Sequence, residues 1–124
     1  MTPLLRKNYG TEAVVGPFLI VKFGAADLNV VPGAASTDKL IGTSGRMGAA
    51  VSGDRCEVTR AGIDKVIYGG TVAAGDPLTS DAQGRAVTAA PAAGVNANIV
   101  GYAEIAGAVG DEGLVFIVPS RIQG

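Results

Sequence analysis

The sequence predicts an all-β protein, a small glycine-rich β-barrel or β-sandwich of short antiparallel strands with an extended N-terminal arm. Three observations support this class. Short β-branched and aromatic runs recur along the chain, turn signals separate them, and glycine interrupts every window that could form a helix of 3.6-residue periodicity. Strands spaced roughly 8–12 residues apart with turns between them are typical of sandwiches and barrels.

The first predicted strand lies within residues 14–23, which are rich in Val, Ile, Leu and Phe. Gly16 and Pro17 interrupt this run, and Gly24 ends it. The further predicted strands are residues 28–31, 40–42, 56–59, 65–68, 77–79, 86–88, 99–105 and 114–118. Each is short, as expected for a small barrel or sandwich.

A Gly-Asp pair recurs before new apolar runs, at Gly53-Asp54, Gly75-Asp76 and Gly110-Asp111. Glycine adopts a positive φ without steric cost, and an aspartate side chain can hydrogen-bond the backbone that follows it. These pairs therefore predict tight turns between strands, and the acids in them are predicted to be solvated turn residues.

The sequence predicts an arm, residues 1–12, and a single β domain, residues 13–124. The arm contains Pro3, Gly10 and several polar residues, and it shows little periodicity. Segments of this kind fray or bind a neighbour. We therefore expect the arm to supply the contact with another subunit. The predicted contact residues are Leu4, Leu5, Arg6, Lys7 and Tyr9.

The predicted core is thin. Hydrophobic residues make up 48% of the 124-residue chain, but many are alanines, there is no Trp, and six residues are aromatic. The chain also has 19 glycines, which lose much conformational entropy on folding. We therefore expect a modestly stable monomer that gains stability by association.

Charge disfavours nucleic acid and membrane partners. The net charge is −1, and neither sign forms a run, whereas phosphate binding needs clustered Lys and Arg. The longest apolar stretch, residues 14–21, is far shorter than the roughly 20 residues that span a bilayer. Residues 1–7 lack the apolar region of a signal peptide, so we expect synthesis in the cytoplasm.

No enzyme, cofactor or metal site is predicted. The chain has no His, which removes the common triads and the commonest metal ligand. Asp111 and Glu112 are adjacent, and because adjacent residues on a strand face opposite ways, they are not expected to form a catalytic carboxylate pair. The glycine patterns at 33–39 and 42–48 lack the spacing of phosphate-binding loops. Cys56 is alone, and we expect a plain, partly buried thiol.

Several segments together resemble the head decoration, or capsid cement, proteins of tailed bacteriophages. Residues 18–27 and 38–42 resemble the N-terminal part of that family. Residues 68–87 resemble its strand, Gly-Asp turn, strand, Asp-x-x-Gly turn and strand unit, and residues 100–104 and 113–118 resemble its ending. The resemblance covers about residues 13–120.

The resemblance implies a structural virion protein on the outer surface of the capsid. Such proteins add to an expanded icosahedral head and clamp neighbouring major capsid protein subunits. The implied partners are the major capsid protein and copies of the chain itself, with a trimer favoured and a dimer possible. No catalysis is implied.

Other functions stay open on the residues alone. A barrel of this kind could be a binding module for a peptide or small ligand. The Tyr and Phe residues are predicted to serve the core, which disfavours a stacking platform. A different virion component, such as a tail part, is a further alternative. Residues 89–97, a loop of small side chains, form either a plain surface loop or a second contact surface.

Overall fold

The computed structural model describes residues 2–124 and consists of β-strands joined by turns. The strands are β1 (Thr2–Thr11), β2 (Ile20–Phe23), β3 (Asn29–Pro32), β4 (Leu40–Ser44), β5 (Cys56–Ile67), β6 (Pro77–Ser80), β7 (Ala86–Thr88), β8 (Asn96–Ala103) and β9 (Glu112–Gln123). No helix occurs within residues 2–124. The predicted all-β class is therefore confirmed.

The first five strands close into a barrel, which we call barrel A. They hydrogen-bond in the order β1-β3-β2-β4-β5, and β1 also pairs with β5, which completes the ring. All pairs are antiparallel except β1 with β3, where Gly10 and Thr11 pair in parallel with Asn29 and Val30. Closure removes most free sheet edges, which suits short strands.

The second half of β5 starts a second ring, which we call barrel B. β5 pairs with β9, and β8, β6 and β7 follow in order. Tyr68, directly after β5, forms a parallel bridge with Ala86 of β7 and so closes the ring. The order from β5 to β7, β6, β8 and β9 repeats that of barrel A.

The two barrels also share their register. Val21 pairs with Gly42 in barrel A, and Leu78 pairs with Gly101 in barrel B. A side chain at either glycine would overlap a backbone carbonyl of the next strand, that of Thr59 or Phe116. Both barrels therefore need glycine at the same place, where two backbones approach closely. The chain is thus a tandem repeat of one barrel, with β5 as the shared strand.

Each barrel has its own buried core. The core of barrel A consists of Tyr9, Val15, Val21, Val30, Ile41, Ala49, Cys56 and Val58. Barrel B contributes to a second cluster Val66, Tyr68, Val72, Leu78, Ala86, Val100, Ala103, Val115 and Ile117. Ile20 and Leu40 of barrel A join this second cluster, so the two barrels pack against each other.

The Tyr68 ring fills the core of barrel B at two positions where barrel B has glycine and barrel A has a larger residue. Val15 bridges to Ala49 in barrel A and Val72 bridges to Gly107 in barrel B, so Ala49 and Gly107 occupy equivalent positions. Cys56 pairs with Tyr9 in barrel A and Gly113 pairs with Val66 in barrel B, so Cys56 and Gly113 are also equivalent. A Cβ atom at Gly107 or Gly113 would overlap the Tyr68 ring. The ring therefore occupies the volume that side chains fill in barrel A.

The Gly-Asp turns are confirmed, with a different hydrogen-bond partner. Gly53, Gly75 and Gly110 have φ of 95°, 88° and 86°. The carboxylates of Asp76 and Asp111 accept hydrogen bonds from backbone amides three residues earlier, at 3.0 and 2.8 Å, rather than from the following backbone. The aspartate thus closes its own turn from the C-terminal side.

Residues 2–11, the greater part of the segment that we expected to be an arm, belong to barrel A as β1. Seven residues of β1 pair with β5, and Tyr9 lies in the core. Apolar and polar residues do not alternate regularly along β1, because the register shifts between Pro3 and Leu5 and again between Leu5 and Arg6. The sequence of this segment therefore lacks the pattern of a strand. Met1 lies outside the described residues.

Candidate contact surface

Strand β1 has one free backbone edge. Its other edge pairs with β5 from Thr2 to Tyr9, but β3 reaches only Gly10 and Thr11. Within residues 2–124, no strand pairs with this second edge before Gly10. Pro3 has no amide hydrogen, and Arg6 and Lys7 are charged, which are devices that natural proteins use on exposed edges. A partner strand could pair here only over a short stretch.

Leu4 and Leu5 are both displayed at this edge. Leu4 has no partner residue on β5, because the register skips it, and the two leucines are 75% and 55% exposed. Consecutive residues of a regular strand face opposite ways. The irregular register allows both apolar side chains to stay in solvent, which supports a contact role.

Arg6 lies at the rim of a cleft of about 620 Å³ between β1, β5 and the loop at residues 45–48. Its guanidinium is 3.3 Å from the Glu57 carboxylate and 3.8 Å from that of Asp64. Asp64 is buried and also accepts hydrogen bonds from Thr59 Oγ1 and from the Lys65 amide. Arg6 is therefore engaged within the chain, which leaves less of its charge for a partner.

The cleft carries matched charges. Its cations are Arg6, Arg46 and Lys65, and its anions are Glu57, Asp64 and Glu112. Lys65 lies 3.5 Å from Glu112. Among residues 2–124, no group of His, Cys, Asp and Glu side chains is placed to hold a metal ion. Each of the three carboxylates of the cleft thus lies within 4 Å of a cation, Arg6 or Lys65.

Lys7 and Tyr9 have different surroundings. Lys7 is exposed and lies over the Tyr9 ring, with its ammonium 5.4 Å from the ring centroid. Tyr9 is only 2% exposed, its hydroxyl accepts a hydrogen bond from Arg60 at 2.7 Å, and its ring packs edge-on against Phe23. Tyr9 is therefore a core residue, and the exposed residues of the candidate surface are Leu4, Leu5, Arg6 and Lys7.

The loop at residues 89–97 is tied to the C-terminus. The Gly94 amide donates to the Gly124 carbonyl at 2.9 Å, and the Gly124 amide donates to the Val95 carbonyl at 3.0 Å. Ala89 and Ala97 are buried with Ile99 in a small separate cluster. The loop thus has a defined backbone, and its large exposed apolar side chain is that of Val95.

The aromatic residues are not all in the core, contrary to expectation. Tyr9 and Tyr68 are buried, but Phe23, Tyr102 and Phe116 are exposed. Tyr102 and Phe116 lie directly opposite each other on β8 and β9. Sequence alone did not single them out, because each sits in an ordinary strand pattern and only the pairing brings them together.

Cys56 has the expected character of an unreactive thiol. It is fully buried in the core of barrel A, and its pKa is raised above the ordinary value by burial and, secondarily, by the nearby Glu57 carboxylate. A raised pKa reduces the thiolate fraction, which is the reactive form. In the described part of the chain, no helix is long and apolar enough to cross a membrane.

Comparisons with known proteins identify a fold relative. No family model matches the chain, and no curated protein matches it. Among solved structures, the N-terminal base of head fiber gp8.5 from bacteriophage phi29 matches with a TM-score of 0.67. The two sequences are 18% identical, and the match covers 97% of this chain and 98% of that one. The likeness shows the same fold over nearly the whole chain.

Proposed function

We propose that the chain is a structural protein of a phage virion that binds the outer surface of the capsid and stabilises contacts between major capsid protein subunits. The observation that carries this proposal is the shared fold with the base of a phage head fiber over nearly the full length of both chains. The sequence resemblance to capsid decoration proteins points to the same surface. No catalytic step, cofactor or metal is part of the proposal.

The proposed contact is the free edge of β1 with Leu4, Leu5 and Lys7. Main-chain groups on an open edge can pair with a strand of a neighbour, while exposed side chains add selectivity. A capsid repeats its surface many times, so weak single contacts become strong when copies are joined. The proposed partners are therefore the major capsid protein and other copies of the chain, with a trimer favoured and a dimer possible.

The test is co-sedimentation of the purified protein with unexpanded and expanded capsids of the phage whose genome encodes it. We expect binding to expanded capsids, and at least a tenfold weaker binding for Leu4→Ser/Leu5→Ser. The matched control is Val14→Ser/Val51→Ser, which removes two similarly exposed apolar side chains elsewhere on barrel A. Absence of wild-type binding to either capsid form would overturn the proposal, and equal binding by both variants would exclude the β1 surface.

A second candidate role is the base of a fiber attached to the capsid, which the likeness to the phi29 head fiber base favours. Both roles require capsid binding, and they differ in what projects outward. A cryo-EM map of the intact particle separates them. Density confined to the capsid surface supports stabilisation, and density extending away from each copy supports a fiber base.

A further inference from the structure

The contact between the two barrels involves one outer face of barrel A. Ile20, Thr43 and Thr59 lie side by side on β2, β4 and β5, and all three are fully buried. The Ile20 amide donates to the Gly84 carbonyl of barrel B at 2.7 Å. Thr59 Oγ1 donates to Asp64, and Thr43 pairs with both neighbours between them. This face is therefore covered by one end of barrel B.

The equivalent face of barrel B is uncovered. The register places Pro77, Tyr102 and Phe116 where barrel A has Ile20, Thr43 and Thr59. Tyr102 and Phe116 are 40% and 44% exposed. The row that is fully buried in barrel A is thus partly exposed in barrel B, and it carries two aromatic rings in place of two threonines. We call this row the aromatic face.

The end of barrel A that corresponds to the covering end of barrel B is also free. Gly84 of the β6–β7 turn packs against the Ile20 carbonyl. Its equivalent in the β2–β3 turn is Leu28, since both have a positive φ and lie two residues before the paired residues Val30 and Ala86. Leu28 is 61% exposed. This end of barrel A, which also carries Phe23 and Lys7, is called the open end.

The two free surfaces fit each other chemically. Within the chain, Asp64 of the covering end binds Thr59 of the covered face. On the free surfaces, Lys7 is the equivalent of Asp64, because Lys7 pairs with Val58 as Asp64 pairs with Val115. Phe116 is the equivalent of Thr59, because Phe116 pairs with Tyr102 as Thr59 pairs with Thr43. A lysine ammonium over an aromatic ring is favourable, and so is the apolar side chain of Leu28 against Pro77, which stands where Ile20 meets Gly84.

We propose that copies of this chain associate head to tail, with the open end of barrel A in one copy seated on the aromatic face of barrel B in the next. The internal contact of the two barrels is the template for this interface. The proposal concerns self-association in solution and stands independently of capsid binding.

The new contact relies on side chains more than the internal one does. Pro77 has no amide hydrogen, so it cannot repeat the hydrogen bond that Ile20 donates to Gly84. Leu28 also carries a side chain where Gly84 has none. The internal contact forms between covalently linked barrels and loses little entropy, whereas separate copies lose translational freedom on binding. Apolar and aromatic residues at the free surfaces supply the larger driving force that this requires.

The experiment is sedimentation velocity of the purified chain over a range of concentrations. A head-to-tail contact uses two different surfaces, so wild-type protein should form species larger than a dimer. Phe116→Thr restores the residue type of the buried equivalent, and Leu28→Gly does the same at the open end. We expect each variant alone to be monomeric, with a dissociation constant raised at least tenfold.

Mixing the two variants gives the decisive result. The Phe116→Thr copy keeps its open end and the Leu28→Gly copy keeps its aromatic face, so the mixture should form a one-to-one dimer and nothing larger. Val109→Thr, which changes an exposed residue of the 107–111 turn, should associate like wild type. Wild-type protein that stays monomeric, variants that associate unchanged, or a mixture that stays monomeric would each overturn the proposal. Glycine suits the positive φ at residue 28, and threonine suits a strand, so misfolding is not expected.

Discussion

Tyr68 fills the core of barrel B with a single large side chain. Its ring fills space beside Gly107 and Gly113, and its hydroxyl donates to the Ile105 carbonyl at 2.7 Å. Burial raises the pKa of this hydroxyl above its ordinary value of 10.0. The residue at the equivalent place in barrel A, Thr11, is smaller because Ala49 and Cys56 fill that core. One large residue has thus replaced two small side chains.

We therefore predict strong coupling between Tyr68 and Gly113. Tyr68→Ala should lower the free energy of unfolding by about 3–5 kcal/mol, as for other buried aromatic residues. Gly113→Ala should also destabilise the wild type, because its Cβ overlaps the ring, but it should be nearly harmless when Tyr68 is Ala. Urea unfolding of the two single variants and the double variant measures the coupling.

The control pair for this cycle is Gly113→Ala with Val21→Ala, since Val21 lies in the core of the other barrel. These two changes should add to within about 0.5 kcal/mol. If the changes in unfolding free energy of Tyr68→Ala and Gly113→Ala added equally well, the Tyr68 ring would not occupy the space of the missing side chain at Gly113.

The β2–β3 turn shows what holds a single element in place. The Glu12 carboxylate accepts hydrogen bonds from the backbone amides of Ala25 and Ala26 at 2.8 and 2.7 Å, and from the Asn29 side chain at 3.1 Å. The amides of Ala26 and Ala25, followed by Asn29, lower the pKa of Glu12 below its ordinary value of 4.5. One side chain outside the turn thus fixes the shape of the turn that presents Leu28.

This pKa predicts an acid-sensitive turn. Because the folded pKa is lowered, the stabilisation is fully present above the ordinary pKa and is lost as the pH falls through the folded pKa. We expect the NMR signals of the Ala25 and Ala26 amides to shift with an apparent pKa below 4.5. Glu12→Gln should abolish this titration, and a midpoint at or above the ordinary value would refute the assignment.

The whole molecule depends on β5, which belongs to both barrels. Its first half pairs with β4, its second half with β9, and β1 pairs across the junction. Gly62 lies at that junction with a φ of 95°. A strand shared in this way leaves neither barrel with a complete ring if it separates, so the two barrels should unfold as one cooperative unit.

Gly62→Ala tests this coupling. Alanine at a positive φ costs roughly 1–2 kcal/mol, and the loss should appear in both barrels. Hydrogen exchange followed by mass spectrometry should show peptides from β2 and from β8 opening together at increasing urea concentration. Exchange of one barrel at a clearly lower urea concentration than the other would show that they are independent units.

The sequence by itself determined the class of structure and most strand positions. Short β-branched runs and Gly-Asp turns are local signals, because φ preferences and side-chain periodicity act over a few residues. Local signals also misplaced boundaries. The run at residues 14–23 forms a strand only from Ile20, since Phe18 adopts a positive φ of 58°. The separate run at 56–59 and the first three residues of the run at 65–68 belong to the single long strand β5.

Only the tertiary structure decided which residues form surfaces. It placed Tyr9 in a core, showed that Leu4 and Leu5 share an exposed edge, and brought Tyr102 opposite Phe116. The repeat of one barrel along the chain could not be predicted from the sequence either. Equivalent positions in the two barrels share strand register and close backbone approach, but their side chains differ. Register is set by long-range pairing, and pairing between distant strands leaves no local pattern from which it can be predicted.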